Sequence, residues 1–227
     1  MVISTSPEFS TTDKESFLGS ASLYVLVDSV DYLNQSSAPQ LKRLIASLVS
    51  AGVHLIQLRD KRLNDRQLIE VGKQMVQLTR GSNTKFVMND RVDLALVTNA
   101  DGVHLGQEDL ALKDAIEILG ADKIIGISTH TLLQARQATE QGADYIGIGP
   151  VFPSATKSFD QFIGPELLAG IAQAVTVTAF AIGGIDLTNV DQVIAAGIRR
   201  VAVGSSVCNA VDPHSAAVEL LKRLRSS

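Results

Sequence analysis

A chain of 227 residues is long for an average domain but ordinary for one α/β barrel, and it can bury most of its apolar surface in a single core. Its 20 basic and 24 acidic residues are spread along the sequence for a formal net charge of −4, which leaves no basic stripe for nucleic acid. One cysteine, Cys208, excludes an internal disulfide and a paired-cysteine zinc site, and no apolar run approaches the roughly 20 residues of a membrane span.

Residues 1–20 are rich in Ser and Thr without sustained periodicity. They are expected to form a mobile polar tail that packs at most near Phe17-Leu18, with the folded domain over 21–227. Without a signal-peptide apolar region, a cytoplasmic location is expected. From Ser22 onward, short runs rich in Val, Ile and Leu alternate with longer segments of helical spacing. Strands are predicted at 22–27, 53–58, 85–88, 102–105, 123–127, 144–148, 178–182 and 200–204. Helices are predicted at 39–51, 65–79, 110–119, 132–141, 165–174, 187–196 and 213–225, three of them stopped by Ala51-Gly52, Gln141-Gly142 and Ala196-Gly197. Eight β/α units whose strands are too apolar for a wet face predict a closed parallel (β/α)8 TIM barrel, a single domain, with an open doubly wound sheet as the alternative.

In such a barrel the active site lies at the C-terminal strand ends. Polar residues and glycines collect there: Asp28, the run from Gln57 to Lys61, Asn89-Asp90, Gln107-Glu108-Asp109, Ser128-Thr129-His130, Gly149-Pro150, Gly183-Gly184 and Gly204-Ser205-Ser206. Asp90 and Asp109 are nineteen residues apart, about one strand-helix-strand unit, and would emerge at the same end of neighbouring strands. Two carboxylates there suit Mg²⁺, which takes few protein oxygens and completes its shell with water and substrate phosphate. Both equally suit helix N-caps, since a helix-like run follows each. Period two places Gln57 and Arg59 on one face with Lys61 on the loop beyond, a set that suits a polyphosphate or, alternatively, a solvated loop. His54 falls on the other parity and is assigned to packing against helices. The sixth strand leads into the longest loop, with Ser154, Ala155, Thr156 and Lys157, a candidate lid. Gly183-Gly184 and Gly204-Ser205 end the last two strands, where barrels often bind a monophosphate. Two anion sites across one mouth suggest an enzyme that joins two phosphorylated compounds.

The stretches 24–28, 57–61 (QLRDK), 89–93 (NDRVD), 101–109 (DGVHLGQED), 125–130, 144–157 and 181–185, in this order and spacing, resemble the thiamine phosphate synthase family. The resemblance implies a transferase that condenses hydroxymethylpyrimidine diphosphate with hydroxyethylthiazole phosphate, giving thiamine phosphate and pyrophosphate, with Mg²⁺ as cofactor. It implies Asp90 and Asp109 as metal ligands, and Arg59, Lys61, Ser128 and Lys157 as the catalytic set. Gln57 and Asn89 would join these in holding the pyrimidine diphosphate. Ser154, Thr156, the Gly183-Gly184 backbone and Gly204-Ser205 would hold the thiazole phosphate, and Leu58, Asp60 and Ala155 complete the substrate-binding set. Two positions depart from the family pattern: Ser154 replaces a usual Thr, and Gly204 a usual branched apolar residue. The rival functions are a thiazole tautomerase-like barrel, a group that lacks the Asn-Asp and Gly-Gln-Glu-Asp elements, and a non-catalytic sensor of thiamine precursors. Small molecules, rather than nucleic acid or a membrane, are the expected partners, and a homo-oligomer is compatible with the pattern.

Overall fold

The computed structural model describes residues 10–28, 38–153 and 162–226. Helix α1 (Thr11–Ser20) leads into β1 (Leu23–Val27), followed by α2 (Ala38–Ala51), β2 (Leu55–Leu58), α3 (Asp65–Thr79) and β3 (Lys85–Asn89). Next come α4 (Val92–Thr98), β4 (Gly102–Leu105), α5 (Leu112–Leu119), β5 (Ile124–Thr129), α6 (Leu132–Glu140) and β6 (Tyr145–Ile148). The remainder is α7 (Gly164–Ala174), β7 (Thr178–Ile182), α8 (Val190–Ala195), β8 (Val201–Val203), α9 (Ser205–Cys208) and α10 (Pro213–Arg225). Strands pair in sequence order, all parallel, and β8 returns to β1. The predicted TIM barrel is therefore the fold, and the open sheet is excluded. Besides α1, the short helices α4 and α9 are the elements that the helical spacing did not separate.

Both faces of each strand are buried, and alternation sorts them. Val25, Ile56, Phe86, Val103, Ile125, Ile146 and Val201 face outward and pack with the helices in one cluster. Tyr24, Leu55, Val87, Ile124, Tyr145, Phe180 and Ala202 face inward and form a second. The rings of Tyr24, Tyr145 and Phe180 meet edge-on at centroid distances of 5.6–5.8 Å. Gly126 makes room for them, because a Cβ there would lie 2.0 Å from the Tyr145 ring. His54, at the N-terminal end of β2, accepts from the Ser22 and Leu23 amides and stays away from the mouth.

The mobile-tail expectation is corrected for its second half; residues 1–9 lie outside the described residues. Ser10 and Asp13 form a capping box that starts α1, each side chain accepting from the other's amide at 3.2 Å. Leu18 and Ala21 then join the inward cluster and close the N-terminal end of the barrel. Lys14 is 6% exposed, and its Nζ donates to Asp144 Oδ1 (2.7 Å) and to the Lys123 carbonyl (3.1 Å). Asp144 Oδ2 in turn accepts from the Ile125 amide at 2.7 Å.

Removing one partner of a buried pair leaves the other charge uncompensated. Lys14→Ala is therefore expected to cost about 3 kcal/mol in urea unfolding while leaving the mouth intact. A change near zero would show that Leu18 and Ala21 alone seat the helix.

Candidate active site

A cavity of about 520 Å³ opens at the C-terminal strand ends. Tyr24, Gln57, His104 and Tyr145 line its inner part together with Arg59 and Ser128, and Asn89, Gly183-Gly184 and Gly204-Ser205 also border it. Gln57, Arg59, Asn89 and Ser128 thus meet Gly183-Gly184 and Gly204-Ser205 around one cavity, while Lys61 stays outside its lining. Ser154, Ala155, Thr156 and Lys157 lie outside the described residues.

Within the second motif, parity separates the side chains. Gln57 is 1% exposed and points inward, where Nε2 donates to Tyr24 Oη at 2.5 Å. Arg59 is half-buried on the cavity wall, its amide donating to the Val27 carbonyl (3.0 Å). Leu58 is corrected from the substrate-binding set: its side chain is 1% exposed and packs in the outward cluster under the helices. Asp60 is also corrected, from ligand contact to bracing, because its carboxylate is fully buried and accepts from the Arg62 amide at 2.9 Å. Arg62 Nη2 donates to Asp28 Oδ1 (2.5 Å), so the ends of β1 and β2 are tied together. Burial, with Asp60 alongside, pushes the Asp28 carboxyl up. Lys61 is exposed and outside the cavity lining, but its charge reaches Asp90.

Asp90 and Asp109 flank the cavity rather than line it. Asp90 has φ 60°, a left-handed conformation uncommon outside glycine, and its amide donates to the His104 carbonyl at 2.8 Å. The N-cap of α4 is Arg91 and that of α5 is Ala111, so neither aspartate caps a helix. Asp109 folds back instead, accepting from the Gly106 amide at 2.6 Å. The two carboxyls are close enough to share a hydrogen bond. Burial first, then that hydrogen bond and the Asp109 charge, push Asp90 up to about 6, against the lowering pull of Lys61 and Arg59. Among the described residues no group of three or more His, Cys, Asp or Glu gathers as a metal site. A pair of hard carboxylate oxygens with solvent access nonetheless fits Mg²⁺, which needs few protein ligands.

Sequence reasoning missed Tyr24, His104 and Tyr145. His104 is 7% exposed, with Nδ1 3.0 Å from Tyr145 Oη and Nε2 2.9 Å from Ser128 Oγ. Burial lowers its pKa to about 4 and raises those of both tyrosines. The signal was available: in Gly102-Val103-His104-Leu105, His104 has the inward parity used to place Gln57 and Arg59.

On the opposite wall, Gly183 (φ 104°) and Gly184 (φ 62°) let two loops pack back to back. The Phe152 amide donates to the Gly183 carbonyl (3.0 Å), and a Cβ on Gly184 would lie 2.2 Å from the Pro153 carbonyl. Among the described residues a Cβ at Gly204 would meet only the Leu26 carbonyl, at 3.6 Å, so the described surroundings do not require glycine there.

A family model for thiamine monophosphate synthase matches residues 23–207, which take in all eight strands. The chain belongs to this family. It is 42% identical to a thiamine-phosphate synthase of Prochlorococcus marinus over 82% of the chain and 54% of that relative. It is likewise 42% identical to one of Halalkalibacterium halodurans, over 76% of the chain and 82% of the relative. The solved thiamine phosphate pyrophosphorylase of Pyrococcus furiosus superposes with a TM-score of 0.80 at 34% identity, covering 93% of this chain and 99% of that one. The chain spans about half the length of several of the curated relatives it matches.

The raised Asp90 pKa gives a testable sign. Without metal, folded Asp90 keeps its proton up to about pH 6, whereas an unfolded Asp loses it near pH 4. Its contribution to stability is then fully present below about pH 4 and lost as pH rises through about 6. Asp90→Asn removes this loss, so it is expected to stabilise the metal-free protein by about 1 kcal/mol at about pH 8 and hardly at about pH 4, the figure being discounted for solvent screening. Thermal melts at both pH values read the difference, and equal effects would contradict the sign.

Proposed function

We propose that the chain condenses hydroxymethylpyrimidine diphosphate with hydroxyethylthiazole phosphate, forming thiamine phosphate and pyrophosphate. The observation that carries the reading is the convergence of Gln57, Arg59, Asn89 and Ser128 on one cavity, with the Asp90–Asp109 pair beside it, in a chain of this family. The bond from the pyrimidine methylene carbon to the diphosphate oxygen breaks first, and its electron pair leaves with the diphosphate. The ring nitrogen of the thiazole then gives its lone pair to the methylene cation, so the step needs no strong base. What the protein must supply is stabilisation of negative charge on the departing group in a site shielded from water.

In this reading Arg59 and Lys61 set fixed positive charge against the diphosphate, and Asn89 and Ser128 hold its oxygens. Lys157, assigned by family resemblance, adds a further cation. Gln57 orients the pyrimidine, and the Gly183-Gly184 amides with Gly204-Ser205 and the hydroxyls of Ser154 and Thr156 hold the thiazole phosphate. Asp90 and Asp109 would hold Mg²⁺, which supplies additional neutralisation of the leaving diphosphate when bound. No helix among the described residues is long and apolar enough to cross a membrane.

The test is to incubate the protein with both phosphorylated substrates, with and without Mg²⁺, and to oxidise the product to fluorescent thiochrome. Mg²⁺-dependent product is expected, and a folded protein that binds thiazole phosphate without forming product would point to the tautomerase or sensor reading. Lys157→Ala is expected to lower kcat by about 10²-fold or more with little change in thiazole KM. An effect confined to that KM would move Lys157 to the thiazole phosphate site.

A further inference from the structure

Five side chains from five strands form one hydrogen-bonded line across the barrel interior. Gln57 Nε2 donates to Tyr24 Oη (2.5 Å), which lies 3.0 Å from Tyr145 Oη. Tyr145 Oη lies 3.0 Å from His104 Nδ1, and His104 Nε2 lies 2.9 Å from Ser128 Oγ. Each of the three inner groups has a single hydrogen to give: one phenolic O–H per tyrosine and one N–H on a neutral imidazole. All three are buried, so they must satisfy one another rather than turn to water.

Such a line has only two consistent directions. In one, Gln57 gives an amide hydrogen to Tyr24, Tyr24 gives to Tyr145, Tyr145 to His104 Nδ1, and His104 Nε2–H to Ser128. The Ser128 hydrogen is then left for the cavity. In the other, Ser128 gives to His104, every bond reverses, and Gln57 receives at its oxygen with its NH₂ left over. In the structure Gln57 turns Nε2 to Tyr24, as the first direction requires of that bond, and Gln57 Oε1 is buried without a partner among the described residues.

We propose that Tyr24, Tyr145 and His104 are positioning residues that tie the hydrogen-bonding sense of Gln57 to that of Ser128, and thereby determine which ring is accepted. This rests on the synthase reading. An ionised diphosphate only accepts hydrogen bonds, so at the Ser128 end it selects the direction in which serine donates. The same direction leaves Gln57 presenting a carbonyl oxygen, which calls for a donor on the ring, such as an exocyclic amine. A ring with an oxo group at that place sets two acceptors face to face. The line relieves that clash only by reversing, which takes the Ser128 hydrogen away from the diphosphate. Recognition at one end of the line is thus coupled to stabilisation of the leaving group at the other.

Tyr145→Phe keeps the ring that packs over Gly126 and removes the hydroxyl in the middle of the line. The measurement is kcat/KM of the full chain, with Mg²⁺ and thiazole phosphate, for the aminopyrimidine diphosphate and for its oxo analogue. In the wild type the amine is expected to be preferred by about 10²-fold or more. In Tyr145→Phe that ratio is expected to fall at least about tenfold, with thiazole KM unchanged, because the two ends no longer share a direction. A lowered rate with an unchanged ratio is what a purely structural hydroxyl would give, and it overturns the proposal alone. Wild-type protein that forms no product overturns the synthase reading, and this proposal with it. Should Tyr145→Phe not fold, Tyr24→Phe cuts the same line one step nearer Gln57 and is judged by the same ratio.

Discussion

Closing a parallel sheet on itself leaves each strand residue two destinations, the layer under the helices or the barrel interior, and neither is water. The chain meets this by making both parities apolar along most of every strand. Val25, Ile56 and Ile146 serve the outer layer, and Tyr24, Leu55 and Tyr145 the inner one. Any polar group that enters the interior must find its partner there, because an unpaired buried donor or acceptor is costly. That requirement is why Gln57, Tyr24, Tyr145 and His104 appear together, and why they join a residue at the rim, Ser128, rather than solvent.

The same closure keeps charge out of the middle of the barrel, with Lys14 and Asp144 paired at the closed end and the remaining cluster at the open one. Arg59 stands on the cavity wall, and its backbone is held by the ladder to β1. The following loop is tied to β1 by Arg62, which reaches Asp28 and Asp60. Asp90 sits beyond β3 in a left-handed turn, close to both Asp109 and the cations. Opposed charges are thus held close together by the backbone ladder and by the Arg62 contacts. Electrostatic stabilisation works best when the dipoles and charges are in place before the reaction begins.

Much of this was legible in the sequence, for reasons of period and repetition. Eight apolar runs separated by helical segments fix the barrel, and period two places Gln57 and Arg59 correctly because both are set by local geometry. Membership of a motif does not fix side-chain direction: Leu58 and Asp60 share the motif with Gln57 and Arg59, yet parity and loop geometry send their side chains elsewhere. The capping role left open for Asp90 and Asp109 depended on where each helix begins, which the sequence locates only to within a few residues. Helix α1 has no apolar stripe to announce it, and its anchor, Asp144, is 130 residues away from Lys14. The line through Tyr24 and Tyr145 spans 121 residues of sequence, so parity can place each member inward but nothing local pairs them.

That distance between Lys14 and Asp144 also bears on how the chain is made. Helix α1 precedes every strand, but the end of the barrel that it closes includes residues just before β5 and β6. At synthesis rates of about 5–20 residues per second, Asp144 follows Lys14 by roughly 6 to 26 seconds. Throughout that interval the helix has an end cap but no ion-pair partner, and Leu18 has no closed interior to enter. Within this chain α1 is therefore made before the parts that seat it, and its ion pair with Asp144 can form only after the five strands that precede that residue have been synthesised.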